Sequence, residues 1–166
     1  IVAMGALGAI PAGTGVIEGG EIPYQASALA QRNANRDDWL AKDPAVKCFM
    51  PGIPRATYMP FPFQIVQGNE TILFTYEFAA AARVVYMNRP DFEHPFEAWM
   101  GHSRGRWEGH TLVIDVDSHV PDTWFDSSGN FHSDALHVEE RYTLVSENVM
   151  NYEATITDPK TFTRPW

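Results

Sequence analysis

The stretch Phe63-Gln-Ile-Val-Gln-Gly-Asn-Glu-Thr-Ile-Leu-Phe-Thr-Tyr-Glu-Phe78 decides the fold class of this chain. Its two halves, 63–67 and 71–78, flank Gly68-Asn69-Glu70, a short polar segment with a glycine that is typical of a hairpin turn. In the second half every other side chain is apolar or aromatic: Ile72, Phe74, Tyr76 and Phe78. Because side chains of a strand point alternately to its two faces, these four share one face of a predicted β-hairpin.

Alternating segments continue toward the C-terminus. A third strand is predicted over 83–87. Two further hairpins follow, one with strands 103–107 and 111–116 around Glu108-Gly109, and one with strands 138–145 and 149–157 around Ser146-Glu147-Asn148. Short strands joined by hairpins predict a mostly β chain, folded as an antiparallel barrel or sandwich.

The residues before these strands predict one N-terminal helix and two irregular arms. Alanine and glutamine in 24–42 favour a helix, which Asp43-Pro44 ends. Residues 1–23 are glycine-rich without a sustained period, and the prolines of 51–62 favour an extended chain. We expect a single domain over 1–166, with an N-terminal arm and helix in 1–62 and a β core in 63–166.

Composition excludes several classes of protein. The 166 residues are 45% hydrophobic, 13% aromatic and 20% charged, which is typical of a folded domain rather than a disordered chain. The net charge of −9 repels phosphate backbones, so we expect no nucleic-acid partner. No run of 18 apolar residues exists, so we expect no membrane span. Cys48 is the only cysteine, which excludes an internal disulfide and a thiolate metal cluster.

The middle hairpin offers a candidate acid–base pair. If Glu108 and Gly109 form its two-residue loop, His102 lies opposite Asp115. A carboxylate across the strand orients an imidazole and raises its pKa, as a general base requires. The alternative is a surface charge pair on the solvated face of a sheet.

Residues 115–140 form the densest polar cluster of the chain. Imidazole and carboxylate groups suit zinc, iron, manganese or copper, and His132 and His137 lie five apart across a loop-to-strand junction. These two histidines are the candidate ligands of a divalent metal ion. No established spacing such as His-Glu-x-x-His is present, so the alternative is that these polar residues build turns and caps.

Glu140 is the third candidate catalytic residue. In the strand over 138–145 it shares the more apolar face with Val138 and Tyr142, so its carboxyl group points toward the core. A buried carboxylate without a partner has a raised pKa, which makes it a candidate acid or base. A structural salt bridge to an interior arginine, Arg83 or Arg106, explains the same position equally well.

Five segments of the chain resemble a family of uncharacterised exported bacterial proteins. They are 18–24 (EGGEIPY), 48–55 (CFMPGIPR), 99–109 (WMGHSRGRWEG), 124–141 (WFDSSGNFHSDALHVEER) and 158–166 (DPKTFTRPW). The likeness implies a periplasmic or extracellular location and a chain that is part of a longer protein, but it implies no activity. A weaker likeness to lipocalin-type β-barrels rests on Gly105-Arg-Trp107 and the hairpins, and implies architecture only.

Three functions are compatible with these features. The first is a domain that binds a small apolar or aromatic molecule, with His102, His132 and Glu140 as its few polar contacts. The second is a lyase, isomerase or hydrolase that uses acid–base groups, with or without a divalent metal ion. The third is a structural or accessory subunit of an exported assembly, which contacts other proteins through its N-terminal and Pro-rich arms.

Overall fold

The computed structural model describes Ile17, residues 20–91 and residues 94–166. Most of the predicted glycine-rich arm over 1–23 therefore lies outside the described residues. The prediction of one helix over 24–42 is wrong, because Asp38, with φ −131° and ψ 37°, interrupts it. The described helices are α1 (Ala26–Asp37), α2 (Trp39–Lys42) and α3 (Arg55–Tyr58), with 3₁₀ turns at Pro44–Lys47 and Phe78–Ala80.

Seven strands form one curled mixed sheet, a half-barrel. The strands are β1 (Phe63–Gln67), β2 (Thr71–Tyr76), β3 (Ala82–Met87), β4 (His102–Glu108), β5 (Thr111–Asp117), β6 (His137–Ser146) and β7 (Val149–Thr157). They lie side by side in chain order, so β1 and β7 are the two edges. The prediction of a mostly β chain with three hairpins is confirmed.

One strand pair departs from the predicted antiparallel pattern. β3 and β4 run parallel and pair over Val85↔Ser103, Tyr86↔Arg104 and Met87↔Gly105, whereas every other neighbouring pair is antiparallel. Parallel neighbours need a crossover rather than a hairpin, and 88–101 provides it. The sheet therefore consists of two antiparallel parts, β1–β3 and β4–β7, joined along one parallel junction.

The register of the middle hairpin differs from the predicted one by two residues. Glu108 pairs with Thr111, so the turn residues are Gly109 and His110. Gly109 has φ +61°, a left-handed conformation that suits glycine at the first central position of a tight hairpin turn. A shift of two keeps each side chain on its predicted face but changes its partner across the strands.

The inner face of the curled sheet carries the core. Its buried apolar side chains come from β2, β3, β5, β6 and β7, and pack against Ile53, Phe125 and Phe162 from outside the sheet. Buried members of this core on the sheet include Ile72, Phe74, Val85, Ile114, Val116, Val138 and Ile156. The interior of the half-barrel is therefore filled by side chains. Within the described ranges no helix has the length and apolar character needed to cross a membrane.

Candidate functional site

A cleft of about 350 Å³ opens beside the parallel junction, and we call it the β3–β4 cleft. β3 and β4 pair only from Val85 and Ser103 onward, so the start of β3 and the segment before β4 are separated. The segment before β4 is instead hydrogen-bonded to the residues that follow β5. Ala98 donates its N–H to the Ser118 carbonyl at 2.9 Å, and its carbonyl accepts from the Val120 N–H at 3.1 Å. The cleft is lined by Met50, Ala82, Arg83, Val84, Tyr86, His94, Ala98, Trp99, Met100, Gly101 and His102.

Two stacked imidazole rings form one wall of the β3–β4 cleft. The ring centroids of His94 and His102 are 3.4 Å apart and their planes differ by 7°. Phe96 packs edge-on against both rings, at 4.9 and 6.0 Å. This arrangement presents a flat, polarisable surface that carries hydrogen-bonding nitrogens at its rim.

The protonation state of His102 follows from its surroundings. Burial lowers the pKa of His102, the Phe96 carbonyl opposes that shift, and His94 adds to it. His102 Nε2 lies 2.9 Å from the Phe96 carbonyl oxygen, which can only accept, so Nε2 carries the hydrogen. In the neutral ring Nδ1 is then the acceptor nitrogen.

The remaining walls of the β3–β4 cleft are aromatic and thioether groups. Trp99 contacts Phe49 with ring centroids 5.0 Å apart, and Met50, Tyr86 and Met100 complete the lining. Indole, phenol and thioether groups offer large apolar contact areas with few polar atoms. The cleft can therefore hold a flat apolar molecule against the histidine pair.

The floor of the cleft leads to a buried ion pair. Arg83 Nη1 donates to Glu140 Oε2 at 2.5 Å, and both side chains are at most 1% exposed. The hydroxyl groups of Tyr142 and Tyr152 each donate to Glu140 Oε1 at 2.8 Å. Of the two interpretations left open for Glu140, the structure shows the salt bridge, and its partner is Arg83 rather than Arg106. Because both carboxylate oxygens have partners, Glu140 is a structural anion in this arrangement rather than an acid or base with a free oxygen.

The predicted pair of His102 with Asp115 does not form. Asp115 lies opposite Arg104 in the sheet, accepts from Arg106 at 2.5 Å and lies 3.2 Å from His137 Nε2. The cause is the turn at Gly109-His110, which moves Asp115 two residues away from His102. The outer face of β4–β6 carries a network of such charge pairs, which matches the alternative interpretation of a solvated face.

The structure does not bring His132 and His137 together as metal ligands. His132 is buried, with Nε2 2.6 Å from Thr123 Oγ1 and Nδ1 2.8 Å from the Ser133 carbonyl. His137 begins β6 on the outer face, opposite in direction to Glu140. Among the described residues no three His, Cys, Asp or Glu side chains are grouped so that they could hold a metal ion.

Sequence reasoning missed most of the β3–β4 cleft. Apart from the resemblance over 99–109, no candidate site residue was predicted in 88–101, although His94, Phe96, Trp99 and His102 lie within nine residues of one another. This density of aromatic rings in a proline-containing loop is the signal that could have pointed to a site. Of the predicted site residues, only His102 lines this cleft.

Comparisons with protein-family models, with curated proteins and with solved structures gave no match.

Proposed function

We propose that this domain binds a small, flat, uncharged aromatic molecule in the β3–β4 cleft. The observation that carries the proposal is the stacked pair of His94 and His102 facing a lining of Trp99, Tyr86 and two methionines. A volume of about 350 Å³ is at the lower end for small-molecule sites, which suits a ligand of two or three rings.

The charges around the cleft favour an uncharged ligand. Arg83, the cationic group at its floor, is neutralised by Glu140. The pKa of His102 is lowered, so its ring is neutral at pH 7. A neutral imidazole can accept one hydrogen bond from a ligand N–H or O–H, which would orient a ring held by stacking.

Titration with N-phenyl-1-naphthylamine, a neutral aromatic probe that fluoresces in apolar sites, tests this proposal. We expect saturable binding by the wild-type chain. Trp99→Ala and His102→Ala should each weaken it by about tenfold, because each removes one wall of the cleft. The matched controls are Trp107→Ala and His137→Ala, which lie outside the cleft and should bind as the wild type does.

Two outcomes would contradict the proposal. One is an absence of saturable binding by a correctly folded wild-type chain. The other is binding that the Trp99 and His102 substitutions leave unchanged, since the probe would then occupy another place. Circular dichroism of each variant separates loss of binding from loss of fold.

The proposal also includes the location of the protein in the cell. The likeness of five segments to exported bacterial proteins supports binding in the periplasm or outside the cell. For the architecture we propose a lipocalin-like barrel. The curl of the sheet and the chain order of its seven strands support this. The enzyme alternative has less support, because the pairing of His102 with Asp115 on which it depended is replaced by other contacts.

A further inference from the structure

A second and larger cleft lies between α1, the 3₁₀ turn at Pro44–Lys47 and the loop over 121–131, and we call it the α1 cleft. It encloses about 550 Å³. Its lining residues are Gln31, Asn35, Lys42, Pro44, Lys47, Phe49, Pro121, Asp122, Trp124 and Phe131. No residue lines both clefts, and they adjoin where Phe49 of the α1 cleft contacts Trp99 of the β3–β4 cleft.

Both walls of the α1 cleft are fixed by buried contacts. On one side Asp43 caps the 3₁₀ turn through Ala45 N–H at 2.9 Å and binds both terminal nitrogens of Arg55, at 2.7 and 2.8 Å. On the other side Gly129 packs on α1 so closely that a Cβ there would lie 2.6 Å from Arg36 N. A cleft between two fixed walls is already formed before a ligand arrives, which reduces the entropy lost on binding.

The charge of the α1 cleft is opposite to that of the whole chain. The net charge is −9, yet Lys42 and Lys47 both line the cleft and neither forms an ion pair within the described part of the chain. Lys42 donates one hydrogen bond to the Ala34 carbonyl at 3.0 Å and keeps two N–H groups. Asp122 is the one carboxylate in the described lining. Two ammonium groups against one carboxylate leave a local positive charge that attracts an anion.

The other side chains of the α1 cleft suit a flat ring. Phe49, Trp124 and Phe131 provide aromatic surface. Gln31 Nε2 donates to Asn35 Oδ1 at 2.7 Å, which fixes the orientation of two amides at the same cleft. From this combination we infer that the α1 cleft binds a small aromatic carboxylate, with its ring against the aromatic side chains and its carboxylate between Lys42 and Lys47. The inference is independent of the function proposed for the β3–β4 cleft.

Calorimetric titration with 2-naphthoate and with its neutral analogue 2-naphthamide tests the inference. The acid and the amide are compared in the His102→Ala variant, so that the β3–β4 cleft does not take up the neutral analogue. There we expect naphthoate to bind at least about tenfold more tightly than naphthamide, because only the acid engages both ammonium groups. Lys42→Met combined with Lys47→Met should remove this preference and leave naphthamide binding unchanged. Raising the salt from about 20 to about 200 mM should weaken naphthoate binding severalfold.

Two control variants locate the effect. Lys160→Met removes an exposed lysine that pairs with Asp134, outside the cleft, and should leave naphthoate binding unchanged. His102→Ala disrupts the β3–β4 cleft and should also leave it unchanged. The inference is overturned if the acid and the amide bind equally in the His102→Ala variant, or if naphthoate shows no saturable binding. It is equally overturned if Lys160→Met weakens binding as much as the double variant, or if His102→Ala abolishes it.

Discussion

Gly101 and Gly109 share a left-handed backbone conformation but differ in what surrounds them. Their φ angles are +62° and +61°. A Cβ at Gly101 would lie 2.7 Å from both His119 Nε2 and Val116 Cγ1, and 2.8 Å from the Asp117 carbonyl oxygen. A Cβ at Gly109 would have no neighbour within 4 Å. The two positions therefore separate the cost of backbone strain from the cost of a steric clash.

Gly109→Ala should lower the free energy of unfolding by about 1 kcal/mol, the cost of placing a side chain in the left-handed region. Gly101→Ala should lower it by about 2 to 4 kcal/mol, because overpacking of the buried neighbours adds to that strain. Urea denaturation of both variants measures the difference. Equal losses at the two positions would show that the segment before β4 can move away from His119.

At the scale of elements, the ion pair of Arg83 and Glu140 joins β3 to β6 through the core. Arg83 also lies with its guanidinium carbon 4.5 Å from the centroid of the Phe74 ring on β2. The pair therefore contacts side chains on both sides of the parallel junction. Burying two charges is costly, and removing one partner leaves the other without compensation.

We expect Arg83→Met and Glu140→Leu each to lower the free energy of unfolding by about 3 to 5 kcal/mol. The double variant should lose clearly less than the sum of the two, because no unpaired charge remains in the core. A double-mutant cycle by chemical denaturation measures this coupling. Additive losses would show that the carboxylate keeps enough partners in Tyr142 and Tyr152 without the arginine.

The sequence predicted elements better than it predicted their arrangement. The alternation in 71–78 is a local property, so β2 and its face followed from side-chain spacing alone. The parallel pairing of β3 with β4 depends on how 88–101 crosses between them, and no local pattern encodes that path. The predicted position of Glu140 in the core is confirmed, because burial alternates regularly along its strand. The pair of His102 and Asp115 failed because a single turn decides the register.

At the scale of the whole molecule, buried histidines make stability depend on pH. His119 is fully buried, and neither ring nitrogen has a hydrogen-bond partner among the described residues. Burial lowers the pKa of His119 to about 3, and His132 adds to the shift. Burial also lowers the pKa of His132.

In the unfolded chain both rings take up a proton near pH 6.5. Below that pH the unfolded chain binds more protons than the folded one, so stability falls as the pH falls.

His119→Leu should remove part of this pH dependence. Below pH 6.5 the free energy of unfolding of the wild type should fall, relative to that of the variant, by up to about 1.4 kcal/mol per pH unit. This loss should continue down to the pKa of His119 in the folded chain. At pH 7.5 the variant should be nearly as stable as the wild type, since the leucine replaces a ring that makes no hydrogen bond. Urea denaturation at pH 7.5, 6.0 and 4.5 measures the difference. The expectation would be contradicted if the free energy of unfolding changed with pH by the same amount in the wild type and in the variant.

The two clefts also show what a single sequence leaves out. The α1 cleft combines side chains from 31–49 with side chains from 121–131, and the β3–β4 cleft combines 50, 82–86 and 94–102. Such surfaces exist only after distant segments meet. Composition correctly indicated many aromatic residues, but their division between core and clefts depends on the tertiary fold.

The parallel junction has a consequence for the order of folding. Within β1–β3 and within β4–β7, each strand pairs with its antiparallel neighbour, and the first, middle and last hairpins close across short turns. The contact of Val85 with Ser103 requires the whole crossover over 88–101 to be in place. Because contacts between residues distant in sequence form slowly, we expect the three hairpins to form first. The β3–β4 junction and the β5–β6 pair, whose partners lie still further apart in sequence, should form later. A ligand held in the β3–β4 cleft would then bind only the joined state and would slow the separation of the two parts.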